Sequence, residues 1–313
     1  MSRIYAPPPV RTPARPTGLW TVALCLVGAL LIGCGGEPSS RAGAGSYRDD
    51  LGRAVPVPDS VGRVVTLAPN LTDLVFAGGG GGRLVGVTGA DDHPRLPESV
   101  ERISALPVDF EQVAALRPDL VLATDQVNDP KAAETFEALE IPIVFFSFDE
   151  VRDVPDAVRQ IGRLLGVRSH ASAAADSLVA RIEAIERQRP REQDRPDVLF
   201  LIGDDPLYGF GRGSYVHGMI ELAGGRSVTD TLENASPVLS EEYVLRASPD
   251  LIIGTFGENY NASELRKKHP TWDHLAAIRA GRVYSIPENW VLRPGPQIVR
   301  GIERMAELIR AHS

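Results

Sequence analysis

The residue types best suited to metal or acid–base chemistry in this chain are its histidines: His93, His170, His217, His269, His274 and His312. They are scattered. The one close pair, His269 and His274, is five residues apart, a spacing that does not put both rings on one helical face, so a zinc site could arise only through the tertiary fold. No Gly-x-Ser-x-Gly elbow, Gly-x-x-x-x-Gly-Lys-Ser/Thr loop or His-Glu-x-x-His pair occurs. Gly209, Gly211 and Gly213 miss the Gly-x-Gly-x-x-Gly spacing of a dinucleotide loop, and residues 204–208 separate them from the strand before, so the segment reads as a cleft-lining turn ahead of a helix starting near Tyr215. The glycine run at 78–82 follows a helix instead of opening one, which makes it a C-cap and turn and not a phosphate cradle.

The two cysteines, Cys25 and Cys34, both lie in or beside an apolar run near the N-terminus. Arg3, Arg11 and Arg15 precede that run, residues 19–32, which is shorter than the roughly 20 residues a membrane-spanning helix needs. Residues 1–33 are expected to be a signal peptide. Leu31-Ile32-Gly33-Cys34 resembles a bacterial lipobox, in which Cys34 takes up lipid before cleavage; the alternative is an ordinary signal peptide that contains a cysteine. Cleavage there discards Cys25 and the three arginines but no acid, lowering the formal charge from −8 to −11. More than one acyl chain gives stable attachment, so the only membrane contact expected is the lipid on Cys34. Residues 34–47, rich in Gly, Ser and Ala, are expected to form a tether. The acidic balance argues against nucleic acid, whose phosphates demand clustered Lys and Arg.

Ordered structure is expected from residue 48. Asp50-Leu51-Gly52-Arg53 reads as a hairpin turn, and 63–68 as a buried strand ended by Pro69. Asn70, with Asp73 three residues on, reads as an Asx N-cap with an acid in the first turn. Further strands at 84–88, 119–124 and 141–146 alternate with helices at 109–116 and 131–139, the pattern of a mainly parallel sheet. Two helices then follow, 155–165 and 169–188. In the second, Ala171, Ala175, Leu178, Ile182 and Ile185 form one apolar stripe. Some 20 helical residues cover about 30 Å, enough to bridge two lobes. Alternation resumes at 197–202.

The chain also repeats across that helix. Residues 111–124 align without a gap on 242–255: an acid at the helix start, a Pro-Asp stop (Pro118-Asp119, Pro249-Asp250) and an apolar strand. A second echo joins 76–79 to 222–225. The fold class expected is α/β, with two Rossmann-like lobes at 48–151 and 196–313, joined by a helical segment at 152–195 that includes one long rigid helix. In such sheets ligands sit beyond the carboxyl ends of the strands, which makes the cleft between lobes the site.

The tether and hairpin, then Arg63-Val64-Val65-Thr66-Leu67-Ala68-Pro69, Leu84-Val85-Gly86-Val87-Thr88, Asp92-His93-Pro94, residues 116–122, Gly211-Arg212-Gly213-Ser214-Tyr215 and Arg293-Pro294-Gly295-Pro296 follow one another as in a known family. Over about 48–310 the chain resembles the substrate-binding lipoproteins of ABC importers for vitamin B12, ferric siderophores or haem. The resemblance implies a monomeric, non-enzymatic receptor without a resident cofactor. Its cargo would be a metal chelate, cobalamin or a ferric siderophore before haem, and its partner a permease dimer with ATPase subunits. It also implies that Glu111 and Glu242 dock onto permease arginines, the alternative being that each complements a helix N-terminus. Loop residues after strands become the ligand candidates: Asn70, Asp92, His93, Gln126, Asn128, Arg212, Tyr215, Trp290 and Arg293. Trp290 could stack on a flat macrocycle or pack at the hinge. Asp92-His93 stands where relatives often carry tyrosine, leaving His93 as metal ligand or hydrogen-bonder. Arg212 and Arg293 could hold carboxylates or phosphate, or lie on the surface. The other reading is an enzyme or sensor lipoprotein acting on a metal chelate on this scaffold, which would need a catalytic group the sequence does not display.

Overall fold

The computed structural model describes residues 45–93 and 95–312. The signal peptide, Cys34, most of the tether and Pro94 lie outside the described residues. The body opens with a hairpin of β1 (Gly45–Arg48) and β2 (Ala54–Val57), paired antiparallel around the expected turn. Residues 45–47, assigned from sequence to the tether, therefore belong to the folded body. Asp49 fixes the turn by accepting from the Arg53 backbone and guanidinium, and it also accepts from Phe145 N, tying the hairpin to the first sheet.

The first lobe comprises β3 (Val64–Thr66), α1 (Pro69–Ala77), β4 (Leu84–Thr88), β5 (Glu101–Ile103), α2 (Phe110–Ala115), β6 (Leu120–Thr124), α3 (Ala132–Ala138) and β7 (Ile143–Phe146). Its sheet has the order β5-β4-β3-β6-β7 and every pair is parallel. Then come α4 (Asp153–Leu164) and α5 (Arg168–Glu186). The second lobe comprises β8 (Asp197–Leu201), α6 (Tyr215–Ala223), β9 (Arg226–Ser227), α7 (Glu241–Ala247), β10 (Leu251–Gly254), α8 (Ala262–Lys268), α9 (Ala276–Arg279), β11 (Val283–Ser285) and α10 (Ile298–Arg310). Its sheet, β11-β10-β8-β9, is again parallel throughout.

Period-two alternation sorts the strand residues into layers. Val64, Leu120, Leu122, Val144 and Phe146 of the first sheet and Val198, Phe200, Leu251 and Ile253 of the second face one continuous apolar core with the spine helices α4 and α5. The intervening residues face separate outer cores, Val65, Val121 and Phe145 under α2 and α3, and Leu199 and Ile252 under α7, α8 and α9. All five residues of the α5 stripe are buried. A helix of this length spans about 28 Å, and it packs against α4, α6 and α10, so the lobes share one core.

The repeat is structural to the level of single atoms. Asp119 Oδ2 accepts from Gly62 N and Arg63 N, while Asp250 Oδ2 accepts from Asp197 N, so each Pro-Asp stop anchors the neighbouring strand of its own sheet. The residue before each Pro-Asp stop is left-handed, Arg117 at φ 45° and Ser248 at φ 44°. The second echo is looser. The positive φ falls on Gly79 after α1 but on Gly224 after α6, one position out of register.

Candidate functional site

Both sheets are doubly wound. The helix after β3 packs on the spine face and the helix after β6 on the outer face, which makes the gap between β3 and β6 the switch point of the first lobe; β8 and β10 flank that of the second. Loops at 67–70, 89–93, 125–131, 202–214, 255–261 and 286–297 therefore gather at the carboxyl edges of the sheets.

The last of these loops crosses between lobes. Arg293 Nη1 contacts Asp92 Oδ1 at 2.5 Å, and Asn70 Nδ2 donates to Pro294 O at 3.3 Å. A Cβ on Gly295 would sit 3.7 Å from both Asn70 O and the Asp73 side chain. Arg293-Pro294-Gly295-Pro296 is thus a strap from the second lobe laid over the first turns of α1. Two residues expected to face ligand, Asp92 and Arg293, here neutralise one another across the cleft. Asn70 is not the N-cap of α1. The cap is Ala68, without a side-chain bond, Pro69 takes the first helical position, and the Asn70 amide is buried and turned to the strap.

Asp73, one turn further along α1, is not in its first turn. Burial pushes its carboxyl up to about 6, against the pull of Arg293 and with the repulsion of Asp91 and Asp92. A raised carboxyl favours the folded state below its unfolded value near 3.8, and that contribution disappears as pH rises through 6. At neutral pH the ionised Asp73 costs stability. Asp73→Asn is therefore expected to be more stable than wild type at pH 7.5 by about 1–2 kcal/mol, after discounting for partial exposure, and equal to it below pH 4. Urea midpoints at the two pH values check this; the same difference at both would overturn it.

The other candidates separate clearly. Asn128 is buried and bridges the first switch point, Oδ1 accepting from Thr124 N and Nδ2 donating to Leu67 O, so its amide is consumed within the fold. Tyr215 is also a framework residue. Its buried hydroxyl donates to Val291 O at 2.8 Å, and burial pushes the phenol up. Trp290 sits in a 3₁₀ turn and packs on the shared core, the hinge-side alternative for this residue. Gln126 is exposed, its amide donating to Phe148 O. Arg212 grips Asp230 through Nε and Nη2, and His217 contacts the same carboxylate at 3.1 Å. His93 lies flat on Phe76 with ring centroids 3.9 Å apart, and its Nδ1 accepts from Arg95 N, which puts the proton of the neutral ring on Nε2. Burial, then Arg95, lowers its pKa. That stacking against the last turn of α1 favours a packing and hydrogen-bonding role for His93 over metal ligation.

Several polar groups at the carboxyl edges escaped sequence reasoning. Thr124 Oγ1 and Asp125 Oδ1, buried beside the first switch point, have no hydrogen-bond partner; the other Asp125 oxygen accepts from Ser147. In the second lobe Asp204 accepts from Tyr260 and pairs with Lys268. Burial opposes ionisation of Asp204, but those two partners hold its carboxyl below the usual range. Tyr260 also stacks on Phe256 at 4.6 Å. No local pattern marks Asp204, because its partners Tyr260 and Lys268 are distant in sequence.

Glu111 and Glu242 each occupy the second position of their helices, α2 and α7. Crossover helices run antiparallel to parallel strands, so both acids stand at the carboxyl edge of their own sheet. The capping bonds come from Asp109, which accepts from Gln112 N, and Ser240, which accepts from Tyr243 N. Both glutamates are exposed, and among the described residues no hydrogen bond or ion pair engages either. Glu241, next to Glu242, is by contrast bound by His269 and Thr271.

Comparison with known proteins places this arrangement. An ABC transporter substrate-binding lipoprotein of Bacillus subtilis, YvrC, is 24% identical over 308 residues, spanning 93% of this chain and 96% of the relative. A vitamin B12-binding protein of Pectobacterium carotovorum is 24% identical over 254 residues, 80% of this chain and 89% of the relative. The structure of a periplasmic haem-binding protein from a Roseiflexus species in its apo form superposes with a TM-score of 0.68 at 23% identity, over 80% of this chain and 98% of that one. The model of the periplasmic binding protein family matches residues 64–290, from the first sheet strand to the hinge tryptophan, and the chain belongs to that family.

Proposed function

We propose that this chain is the extracytoplasmic substrate-binding component of an ABC importer, a monomer anchored through lipid on Cys34 that captures a metal chelate between its lobes and delivers it to a permease dimer with ATPase subunits. The observation that carries this reading is the pair of equivalent lobes, joined by a shared core, each presenting an unengaged glutamate at the cleft edge of its sheet. A pseudo-twofold receptor is what a twofold channel accepts. Among the described residues no helix is long and apolar enough to cross a membrane.

Cobalamin and ferric siderophores are the favoured cargoes, with haem next; the printed names of relatives speak for vitamin B12 and for haem. Release of the cargo requires no chemistry from the receptor. The described residues belong to one compact unit, so the body from Ser46 onward can be purified, its absorption spectrum recorded, and cyanocobalamin, haem and ferric siderophores titrated in turn. Saturable one-to-one binding to one of them is expected; absence of binding to all three would overturn the cargo assignment.

A further inference from the structure

Beside each unengaged glutamate the chain holds an apolar side chain out in solvent. Leu106 is 71% exposed and Val238 61% exposed. Singly, exposed apolar residues need no explanation. Here they recur. In the register of the internal repeat Pro107 corresponds to Val238 and Leu106 to Pro237, so the two exposed residues lie one position apart in the repeat, each just ahead of the N-cap of the helix that bears the glutamate.

Neither residue is exposed because its loop is loose. The turn carrying Leu106 is closed by an Ala105–Val108 bridge, by Ser104 Oγ donating to Pro107 O, and by Asp109 N donating to Ser104 O. Ser104 N in turn donates to Gln112 on α2, so the turn is tied to the helix that bears Glu111. A shallow concavity lined by Ser104, Pro107, Val108, Asp109, Phe110 and Glu111 lies between the turn and the acid. In the second lobe Val238 pairs in a bridge with Tyr208, itself 41% exposed, while Leu239 N donates to Leu207 O and the Leu239 side chain is buried. Each lobe thus offers a fixed apolar step next to an unpaired negative charge.

We propose that Leu106 and Val238 are apolar anchors of the permease contact, so that each lobe docks through a two-part site, glutamate plus neighbouring aliphatic residue. This inference rests on the receptor reading above. The partner it fits is a twofold-related membrane protein surface that presents, twice, a cationic side chain beside an apolar one. Charge complementarity selects such a partner, and the repeat demands that it be presented in duplicate. The two parts do different work: the charges speed and orient encounter and fade with salt, whereas the buried aliphatic side chains slow dissociation and do not.

The test uses the full-length lipoprotein in its own cells, with a photo-crosslinking amino acid placed in turn at positions 106, 111, 238 and 242, and at Glu137 on α3 as a control. The ABC permease complex recovered from positions 111 and 242 is then purified into nanodiscs, and its affinity for full-length wild type, Leu106→Asp and Val238→Asp is measured at low and high salt. Crosslinks from 106 and 238 to a permease subunit, with at least a tenfold loss of affinity for each variant at both salt concentrations, are expected; tenfold corresponds to about 1.4 kcal/mol. Thermal melting within a few degrees of wild type shows that the variants fold. Crosslinks from 111 and 242 but not from 106 and 238, or aspartate variants that bind as wild type, would overturn the apolar anchors and leave the receptor reading intact. Crosslinks to a permease from none of the four positions would overturn both.

Discussion

Cells whose only copy of this protein carries Glu111→Ala together with Glu242→Ala are expected to accumulate none of the cargo that wild-type cells take up, although the purified double variant binds that cargo with unchanged affinity. The separation follows from where the acids stand. Neither is held by a partner among the described residues, so removing them leaves no buried group unsatisfied, and the caps Asp109 and Ser240 keep α2 and α7 intact. The cost to folding is the loss of a favourable charge at each helix N-terminus, about 0.3–1 kcal/mol apiece. The cost to docking is larger, because an arginine desolvated at the permease surface would be left unpaired, a penalty of about 2–5 kcal/mol at each lobe. Two such losses, about 4–10 kcal/mol together, weaken docking by about three to seven orders of magnitude. Uptake of radiolabelled cargo alongside equilibrium titration of the purified variant measures both halves. Normal uptake by the double variant would sink the docking role, and weakened cargo binding would place the acids in the cleft.

Why some of this was legible in sequence and some was not comes down to the reach of each interaction. The α5 stripe is a local period, and each of its five residues is buried as the spacing requires. The repeated Pro-Asp stops are local too, and they return as matching anchors of β3 and β8. The ligand candidates depended on a different inference, that a polar residue in a loop after a strand faces the cleft. Asn128, Tyr215 and Asn70 break it for one reason: each polar tip finds a backbone carbonyl at Leu67, Val291 or Pro294, far away in sequence, and burying it there satisfies groups that would otherwise be orphaned. Asp92 and Arg293 are separated by 201 positions, and nothing local could have paired them. The exposed steps at Leu106 and Val238 were missed because a solitary leucine or valine in a loop carries no pattern. Only the structure shows Leu106 pinned by its own loop's hydrogen bonds and Val238 by pairing with the loop at Leu207 and Tyr208.

Gly162→Ala is expected to lower stability by about 1–3 kcal/mol, and the sign is what makes the change informative. In an exposed helix, replacing glycine by alanine stabilises by about 1 kcal/mol, since glycine has more backbone freedom to lose. Gly162 lies within α4 where it crosses α5, and an added Cβ would come to 2.1 Å from the Cβ of Ala171. Real carbon atoms do not approach so closely, and neither partner is the end of a flexible chain that could swing aside, so the helices themselves must separate. That separation cannot remain local. α4 packs on α1 of the first lobe, while α5 packs on α6 and α10 of the second, so the crossing at Gly162 and Ala171 sets the distance between the two halves of the shared core. The overpacking penalty must therefore exceed the propensity gain, and the melting temperature is expected to fall by several degrees. Enlarging the same site to leucine should leave too little folded protein to purify. A compensating Ala171→Gly in the Gly162→Ala background restores room for the methyl group, and recovery of most of the lost stability in the double variant would locate the strain at this contact. A Gly162→Ala protein as stable as wild type would mean that the spine tolerates separation, and that the lobes are less firmly coupled than their common core indicates.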